Sequence, residues 1–185
     1  MKLTLTSAAR ITKRISVIFA PLLALSLVSA PAQAAPMYGQ FRNIQTGGCL
    51  DSNLRGEVYT LSCNSTVLNQ YWEVELTGTR APDRYYQVKI KNAATNRYLS
   101  QFWYLPTNPF AVPNVRPTLA TQPNSSGDQA VFDGVGAGWN NVSLRSTKGN
   151  RFEPLCVDTG RVGVAYAHAC NGGTWQKWEL IKRNR

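Results

Sequence analysis

The feature that most constrains this chain is a pattern of chemically demanding residues that occurs twice. Each copy has a Cys-x-Asp, a second Cys fourteen positions after the first, and a Gln-x-Trp shortly after that. The first copy consists of Cys49, Asp51, Cys63, Gln70 and Trp72, and the second consists of Cys156, Asp158, Cys170, Gln176 and Trp178. Equal spacing in two distant segments indicates that one structural unit is used more than once.

A third, degenerate copy lies between these two. The sequence IKNAATNRYLS at 90–100 aligns with FRNIQTGGCLD at 41–51, and VFDG at 131–134 aligns with the segment around Trp72. The residues that replace the first Cys, the Asp, the Gln and the Trp are Tyr98, Ser100, Ala130 and Phe132. The sequence therefore predicts three similar units, of which the middle one has lost its polar signature.

The first 34 residues have the pattern of a signal peptide. Four cations precede a largely apolar run at 15–28, and the small-residue sequence Ala32-Gln33-Ala34 follows. The run is too short for a membrane-spanning helix and is interrupted by Pro21, so no stable membrane insertion is expected. We predict cleavage near Ala34, secretion, and a single domain over 35–185.

The charge of the remaining chain argues against a nucleic-acid partner. The full sequence carries a net charge of +10, but without the four cations of residues 1–34 it has 16 Lys and Arg against 10 Asp and Glu, a net charge of +6. These cations are scattered, apart from Lys182, Arg183 and Arg185. A nucleic-acid groove would need a basic stripe, which the sequence does not predict.

All four cysteines lie in the predicted secreted part, where an even number indicates disulfides. The repeat favours Cys49 with Cys63 and Cys156 with Cys170, and each bond would close a loop of about 15 residues and contribute roughly 3 kcal/mol. Zinc binding is the competing interpretation. Gaps of fourteen residues without a Cys-x-x-Cys or a His pair disfavour it, so no metal or cofactor site is expected.

The local pattern of hydrophobic residues predicts strands. In YWEVEL at 71–76, Trp72, Val74 and Leu76 alternate with polar or aromatic residues, which is the period of a half-buried strand. No segment after residue 35 has a sustained apolar helical stripe. We therefore expect an all-β protein whose three units bury their apolar faces together.

Facing positions follow if each cysteine pair lies directly across an antiparallel hairpin. Position 51 would then face 61, and position 53 would face 59, all on one side of the ribbon. The same reasoning places Asp158 opposite His168, with Tyr166 on the same face. We expect both aspartates to be exposed in shallow hollows beside these side chains.

The Cys-Leu-Asp and Cys-Val-Asp sequences, together with Asn69-Gln70-Tyr71-Trp72 and Gln176-Lys177-Trp178, resemble the ricin B-type lectin domain. The resemblance extends from about Tyr38 to Ile181. It implies a β-trefoil of three repeats with a degenerate central repeat. It also implies carbohydrate binding, because family members bind sugars through Asp-centred sites.

The resemblance assigns a role to each candidate site residue. It implies that Asp51 and Asp158 hold the sugar, that Asn69 contributes an amide, and that positions 61 and 168 carry a stacking ring. It also implies that Gln70 and Gln176 brace the sites. The sequence departs from this pattern at Leu61, for which Tyr59 is the possible substitute, and at Trp175, which stands where the family has Asn. Tyr166 and His168 complete the third-repeat site, and Ser100 makes the middle repeat silent.

The resulting hypothesis is a secreted, non-catalytic lectin that binds galactose-type or related sugars on glycans or polysaccharides. The alternative is a protein-interaction trefoil, such as the receptor-binding subunit of a toxin, the partner of a hydrolase, or a protease inhibitor. No Ser-His-Asp order, HExxH or Gly-x-Ser-x-Gly motif predicts catalysis. Residues 101–128 form an insertion rich in proline and aromatic residues, too rich in proline for a central strand.

Overall fold

Strands make up most of the described chain. The computed structural model describes residues 35–80, 85–103, 117–124, 127–146, 154–160 and 163–184. The strands are β1 Met37–Asn43, β2 Gly48–Ser52, β3 Val58–Ser62, β4 Tyr71–Arg80, β5 Tyr85–Asn92, β6 Tyr98–Trp103, β7 Pro117–Gln122, β8 Phe132–Gly138, β9 Asn141–Ser146, β10 Leu155–Thr159, β11 Ala165–Ala169 and β12 Trp178–Lys182. The predicted signal peptide and residues 104–116 of the insertion lie outside the described residues.

Short 3-10 turns precede the last strand of each group of four. They span Leu68–Gln70, Asp128–Ala130 and Thr174–Gln176. Within the residues that the structure describes, no helix is long and apolar enough to cross a membrane. The pattern of four strands and one turn therefore repeats three times, which agrees with the three similar units that the sequence predicts.

Six strands close into a barrel. β1 pairs with β4, β4 with β5, β5 with β8, β8 with β9, β9 with β12, and β12 with β1, all antiparallel. The remaining strands form three hairpins, β2–β3, β6–β7 and β10–β11, each attached to the barrel through its first strand. Because the barrel closes on itself, its six strands have no free edge in the ring. The fold is a β-trefoil of three lobes, which confirms the predicted fold class.

The core is built from the alternating residues of the barrel strands and from one aromatic residue at the start of the last strand of each repeat. Trp72, Phe132 and Trp178 are fully or almost fully buried. The indole nitrogen of Trp72 donates to the carbonyl oxygen of Leu50 at 3.0 Å, and that of Trp178 donates to Val157 at 3.0 Å. Each Trp therefore fixes the hairpin of its own lobe to the barrel.

Hydroxyl pairs join neighbouring lobes where the hairpins meet. The Thr60 and Thr159 hydroxyl oxygens lie 3.1 Å apart, and those of Ser52 and Thr121 lie 3.0 Å apart. The amide of Thr60 also donates to the Gly163 carbonyl at 2.7 Å. These bonds connect the first lobe to both of the others.

Two disulfides close the outer hairpins, Cys49 with Cys63 and Cys156 with Cys170, as predicted. All cysteines of the described chain are bonded in this way, which overturns the zinc interpretation. The predicted facing pairs are wrong, however. Cys49 lies opposite Leu61, and Asp51 lies opposite Tyr59 rather than position 61.

The third lobe has the same register, in which Asp158 faces Tyr166 and not His168. The disulfides are diagonal, because Cys49 faces Leu61 and Cys156 faces His168, while each bonded cysteine lies two positions further along. The twist of the ribbon still brings the paired Cα atoms within 4.9 and 5.0 Å. A disulfide therefore marks the open end of each hairpin, not a directly facing pair.

The ends of the insertion contribute to a hairpin outside the barrel. β6 includes Gln101–Trp103, and β7 begins at Pro117, where a strand tolerates proline because its first residue need not donate to the ladder. Pro123 follows directly after β7. The prolines that fall within the described residues thus lie at strand ends.

Candidate functional site

A cleft of about 300 Å³ lies against the hairpin of the third lobe. Strands β10 and β11 supply two of its walls, and the segment leading into the last 3-10 turn supplies another. The residues that line it are Asp158, Thr159, Gly160, Tyr166, His168, Asn171 and Trp175. The structure therefore brings three of the predicted site residues of this lobe together, with Gln176 directly behind them.

Asp158 is the carboxylate of the cleft, and the protein holds it in one orientation. The Thr159 amide donates to Oδ1 at 2.7 Å, and the Gln176 side chain donates to Oδ2 at 2.9 Å. Tyr166 faces this carboxylate across the hairpin, and its hydroxyl is near enough for the charge of Asp158 to act on it. Since an ionised carboxylate offers about four acceptor positions, it retains capacity for a ligand hydroxyl.

Both aspartates are more enclosed than the sequence analysis expects. Asp158 is 4% exposed and Asp51 is 2% exposed, so neither stands free in solvent. The reason is the facing tyrosine and the glutamine of the Gln-x-Trp, which approach the carboxylate from two sides. Asp158 nevertheless lines the cleft, so its recognition geometry is fixed before a ligand arrives.

Aromatic rings form the wall beside Asp158. The rings of Tyr166 and His168 meet edge to face with centroids 6.1 Å apart, and His168 is exposed while Tyr166 is half-buried. Trp175 lies across the same cleft, also half-buried. Burial, followed by the negative charge of Asp158, raises the pKa of Tyr166, so its hydroxyl remains protonated at neutral pH.

Asn171 provides the amide that the sequence analysis misses in this lobe. Its Oδ1 accepts a hydrogen bond from the Gly173 amide at 2.8 Å, while Nδ2 has no partner among the described residues. The side chain is exposed and lines the cleft. The signal was present in the repeat, because Asn171 follows Cys170 as Asn64 follows Cys63.

The two glutamines of the Gln-x-Trp sequences make the same bonds in both outer lobes. Oε1 of Gln176 accepts a hydrogen bond from the backbone N–H of Asn171 at 2.9 Å, and Nε2 donates to the Ala169 carbonyl at 2.8 Å. Oε1 of Gln70 accepts a hydrogen bond from the backbone N–H of Asn64 at 2.8 Å, and Nε2 donates to the Ser62 carbonyl at 3.1 Å. Each glutamine is buried and ties the end of the hairpin to the 3-10 turn, as bracing requires.

The first lobe places Asp51 near Tyr59 and Gln70, whose side chains act to lower its pKa. Burial raises the pKa of Asp51, and this effect exceeds the lowering by those two side chains. Its Oδ1 is buried without a hydrogen-bond partner. The first lobe therefore holds a less well satisfied carboxylate than the third.

The surroundings of Asp51 are more apolar than those of Asp158. Leu61 occupies the ring position and is 52% exposed, and Leu68 is 57% exposed. The Asn69 amide donates to the Ser52 carbonyl at 2.6 Å, so it serves the hairpin. Tyr59 is the aromatic side chain that faces Asp51, and it pairs across the lobe boundary with Val164.

The middle lobe has no acid at the corresponding position. Ser100 is buried, faces Ala120, and donates to the Tyr98 carbonyl at 3.2 Å. Across the described ranges, no group of three or more His, Cys, Asp and Glu side chains is placed to hold a metal ion. Among the described residues, only the outer lobes present an aspartate with a facing ring and a bracing glutamine.

Comparisons with known proteins support the fold. A search of protein-family models finds no match, and neither does a search of curated protein sequences. Among solved structures, the designed threefold-symmetric protein ThreeFoil aligns with a TM-score of 0.56 and 20% identity, covering 78% of this chain and 97% of its own. SeviL, solved bound to asialo-GM1 saccharide, aligns with a TM-score of 0.55 and 15% identity, covering 81% of this chain and 100% of its own.

Proposed function

We propose that this protein is a secreted lectin of the ricin B type that binds carbohydrate reversibly through the cleft of its third lobe. One observation carries the proposal. Asp158, fixed by Gln176, shares a 300 Å³ cleft with exposed His168 and the amide of Asn171. An oriented carboxylate, an aromatic face and a side-chain amide are the three contacts that sugar recognition uses.

The chemistry of the cleft fits a pyranose. The Asp158 carboxylate accepts charge-assisted hydrogen bonds from neighbouring hydroxyls, while the rings of His168 and Tyr166 pack against the apolar C–H face. A galactose-type sugar suits this arrangement, because its axial hydroxyl leaves one continuous apolar face. The cleft binds and releases the sugar without forming or breaking a covalent bond.

We assign a second, weaker site to Asp51 in the first lobe. Tyr59 faces this carboxylate and Gln70 lies near it, but exposed Leu61 replaces the ring and Asn69 bonds to the hairpin. Two weak sites on one chain raise the apparent affinity for a glycan that reaches both. Binding to surfaces that display many sugars should therefore exceed binding to a free monosaccharide.

A glycan array followed by calorimetry with lactose tests this assignment. His168→Ala removes an exposed ring that contacts Tyr166 but lies outside the core, and we expect it to weaken lactose binding about tenfold. Ser100→Ala changes the corresponding lobe without an acid and serves as the control, with unchanged affinity. Lactose affinity that is preserved when Asp51 and Asp158 are both replaced by Asn would show that the sites are wrong. A folded protein that binds no glycan would reject the lectin.

The second candidate function is protein binding at the first lobe. Leu54, Leu61 and Leu68 are 79%, 52% and 57% exposed, and large exposed aliphatic side chains often mark a protein contact. Such a surface suits the subunit of a toxin, the partner of a hydrolase, or a protease inhibitor. A protease-inhibition panel distinguishes this role from the first, since a lectin site at Asp158 predicts lactose binding and no inhibition.

A further inference from the structure

A second cleft lies at the end of the barrel that is distant from the three hairpins. It measures about 450 Å³ and is lined by Pro36, Met37, Tyr38, Glu73, Lys182, Arg183 and Asn184. The register gives its position. Arg42, near the last residue of β1, pairs with Cys49 of the first hairpin, whereas Gly39, near the first residue of β1, pairs with Lys182. The start of β1 and the end of β12 therefore lie away from the hairpin. This basal cleft shares no residue with the Asp51 or Asp158 sites.

Two cations at the end of β12 give the basal cleft its charge. Lys182 and Arg183 are exposed, and neither has a carboxylate partner within the described chain. The backbone amide of Arg183 donates to the Tyr38 carbonyl at 2.9 Å, and its guanidinium lies 5.9 Å from the centre of the Tyr71 ring. Arg183 is therefore held in place while its guanidinium is not neutralised by an acid.

A supported aromatic ring forms another wall of the basal cleft. The Tyr38 ring stacks on Tyr71 with centroids 5.2 Å apart and an angle of 18° between the planes. Tyr71 is buried, and its hydroxyl donates to the Ser65 carbonyl at 3.0 Å. Tyr38 is half-buried, so part of its ring remains accessible to a ligand in a fixed orientation.

We propose that the basal cleft binds an acidic saccharide, that is, a sugar carrying a carboxylate or a sulfate. The anionic group pairs with Lys182 and Arg183, the Tyr38 ring packs against the C–H face, and the Asn184 amide reaches the remaining hydroxyls. The concave shape favours a saccharide over a lipid bilayer, because a flat bilayer surface cannot enter the cleft.

Oligogalacturonate is a suitable probe, because galacturonate differs from galactose only in its carboxylate. We expect Lys182→Gln with Arg183→Gln to weaken its binding about tenfold or more, the loss that follows when hydrogen bonds to charged groups are removed. Binding to the unchanged protein should also weaken with added salt. Arg55→Gln with Lys89→Gln removes the same charge outside the basal cleft, and this control should retain the affinity.

Competition separates the basal cleft from the Asp158 site. An excess of methyl galactoside should leave oligogalacturonate bound, and displacement would place the acidic sugar in the third lobe and overturn the proposal. An equal loss in the Arg55 and Lys89 control would reduce the effect to net charge and also overturn it. The proposal would also be overturned if the protein bound phosphatidylglycerol vesicles through Lys182 and Arg183 and had no affinity for oligogalacturonate. Lactose binding through Asp158 can fail without affecting these outcomes.

Discussion

Asp51 and Asp158 occupy the same position in their repeats but have different surroundings. Both Asp158 oxygens accept hydrogen bonds, whereas Oδ1 of Asp51 is buried without a partner. An unpaired buried polar atom costs free energy, and a buried charge costs more. The same isosteric change to Asn should therefore have opposite effects on stability in the two lobes.

We expect Asp51→Asn to raise the melting temperature at neutral pH. Burial raises the pKa of Asp51 above its usual 3.8, so the folded state binds the proton more tightly than the unfolded chain does. Its contribution to stability is then fully present below 3.8 and is lost as the pH rises through the folded pKa. The advantage of the variant should disappear in acid. Melting curves over a pH series measure this, and a lower melting temperature at neutral pH would contradict it.

Asp158→Asn should lower the free energy of unfolding by about 1–3 kcal/mol, the usual cost of a buried hydrogen bond without its partner. The NH2 group of the introduced asparagine would face the Nε2 donor of Gln176. The Gln176 side-chain amide cannot flip to avoid this, because its Oε1 accepts a hydrogen bond from the backbone N–H of Asn171. Denaturant unfolding measures the loss. Tyr166→Phe, which removes the hydroxyl nearest to Asp158 on the facing strand and keeps the ring, serves as the control and should cost less.

At the scale of the elements, the loop before β11 joins the third lobe to the first. Gly163 has a φ of +78°, and a Cβ there would lie 2.7 Å from the Thr60 carbonyl oxygen. We expect Gly163→Ala to destabilise the protein by more than the roughly 1–2 kcal/mol of backbone strain alone. Gly172→Ala isolates that strain, since Gly172 has a φ of +74° and open space around it. Equal losses in chemical denaturation would show that the loop contact contributes nothing.

The hairpins show where sequence reasoning succeeds and where it stops. The spacing of Cys49 and Cys63 predicts the hairpin and its disulfide, but the predicted direct facing of the pair is wrong, since Cys49 faces Leu61, two residues before Cys63. A disulfide constrains a distance between two Cα atoms, and diagonal and direct pairs of a twisted ribbon both satisfy it. The sequence analysis misses the side-chain amide of Asn171, because this residue lies in the segment after the strand and not in the Gln-x-Trp sequence.

At the scale of the whole molecule, the three lobes depend on one closed barrel. Each lobe contributes two of the six strands, so the core residues Trp72, Phe132 and Trp178 belong to one cluster. This level was predictable, because the repeat and the period-two pattern both indicate three strand-rich units. Closure itself is a contact between distant strands, which local sequence patterns do not specify.

We therefore expect unfolding to be a single transition. Ile90→Val, in the fully buried core of the middle lobe, should cost about 0.5–1.5 kcal/mol and lower the midpoint of tryptophan fluorescence and of far-ultraviolet circular dichroism together. The matched control is Ile44→Val, at a position that is 43% exposed, with little effect. A fluorescence midpoint that stays in place, when the circular dichroism midpoint moves, would mean that the outer lobes unfold separately.

The pairing of β1 with β12 joins the first and last strands and closes the ring. A ring of strands has no beginning, so the point at which the polypeptide is interrupted matters less than the order in which neighbours touch. A circular permutant, linked between its present ends and reopened in the turn after exposed Asn140, would place the same neighbours side by side. The lobe that is now last would then be synthesised first.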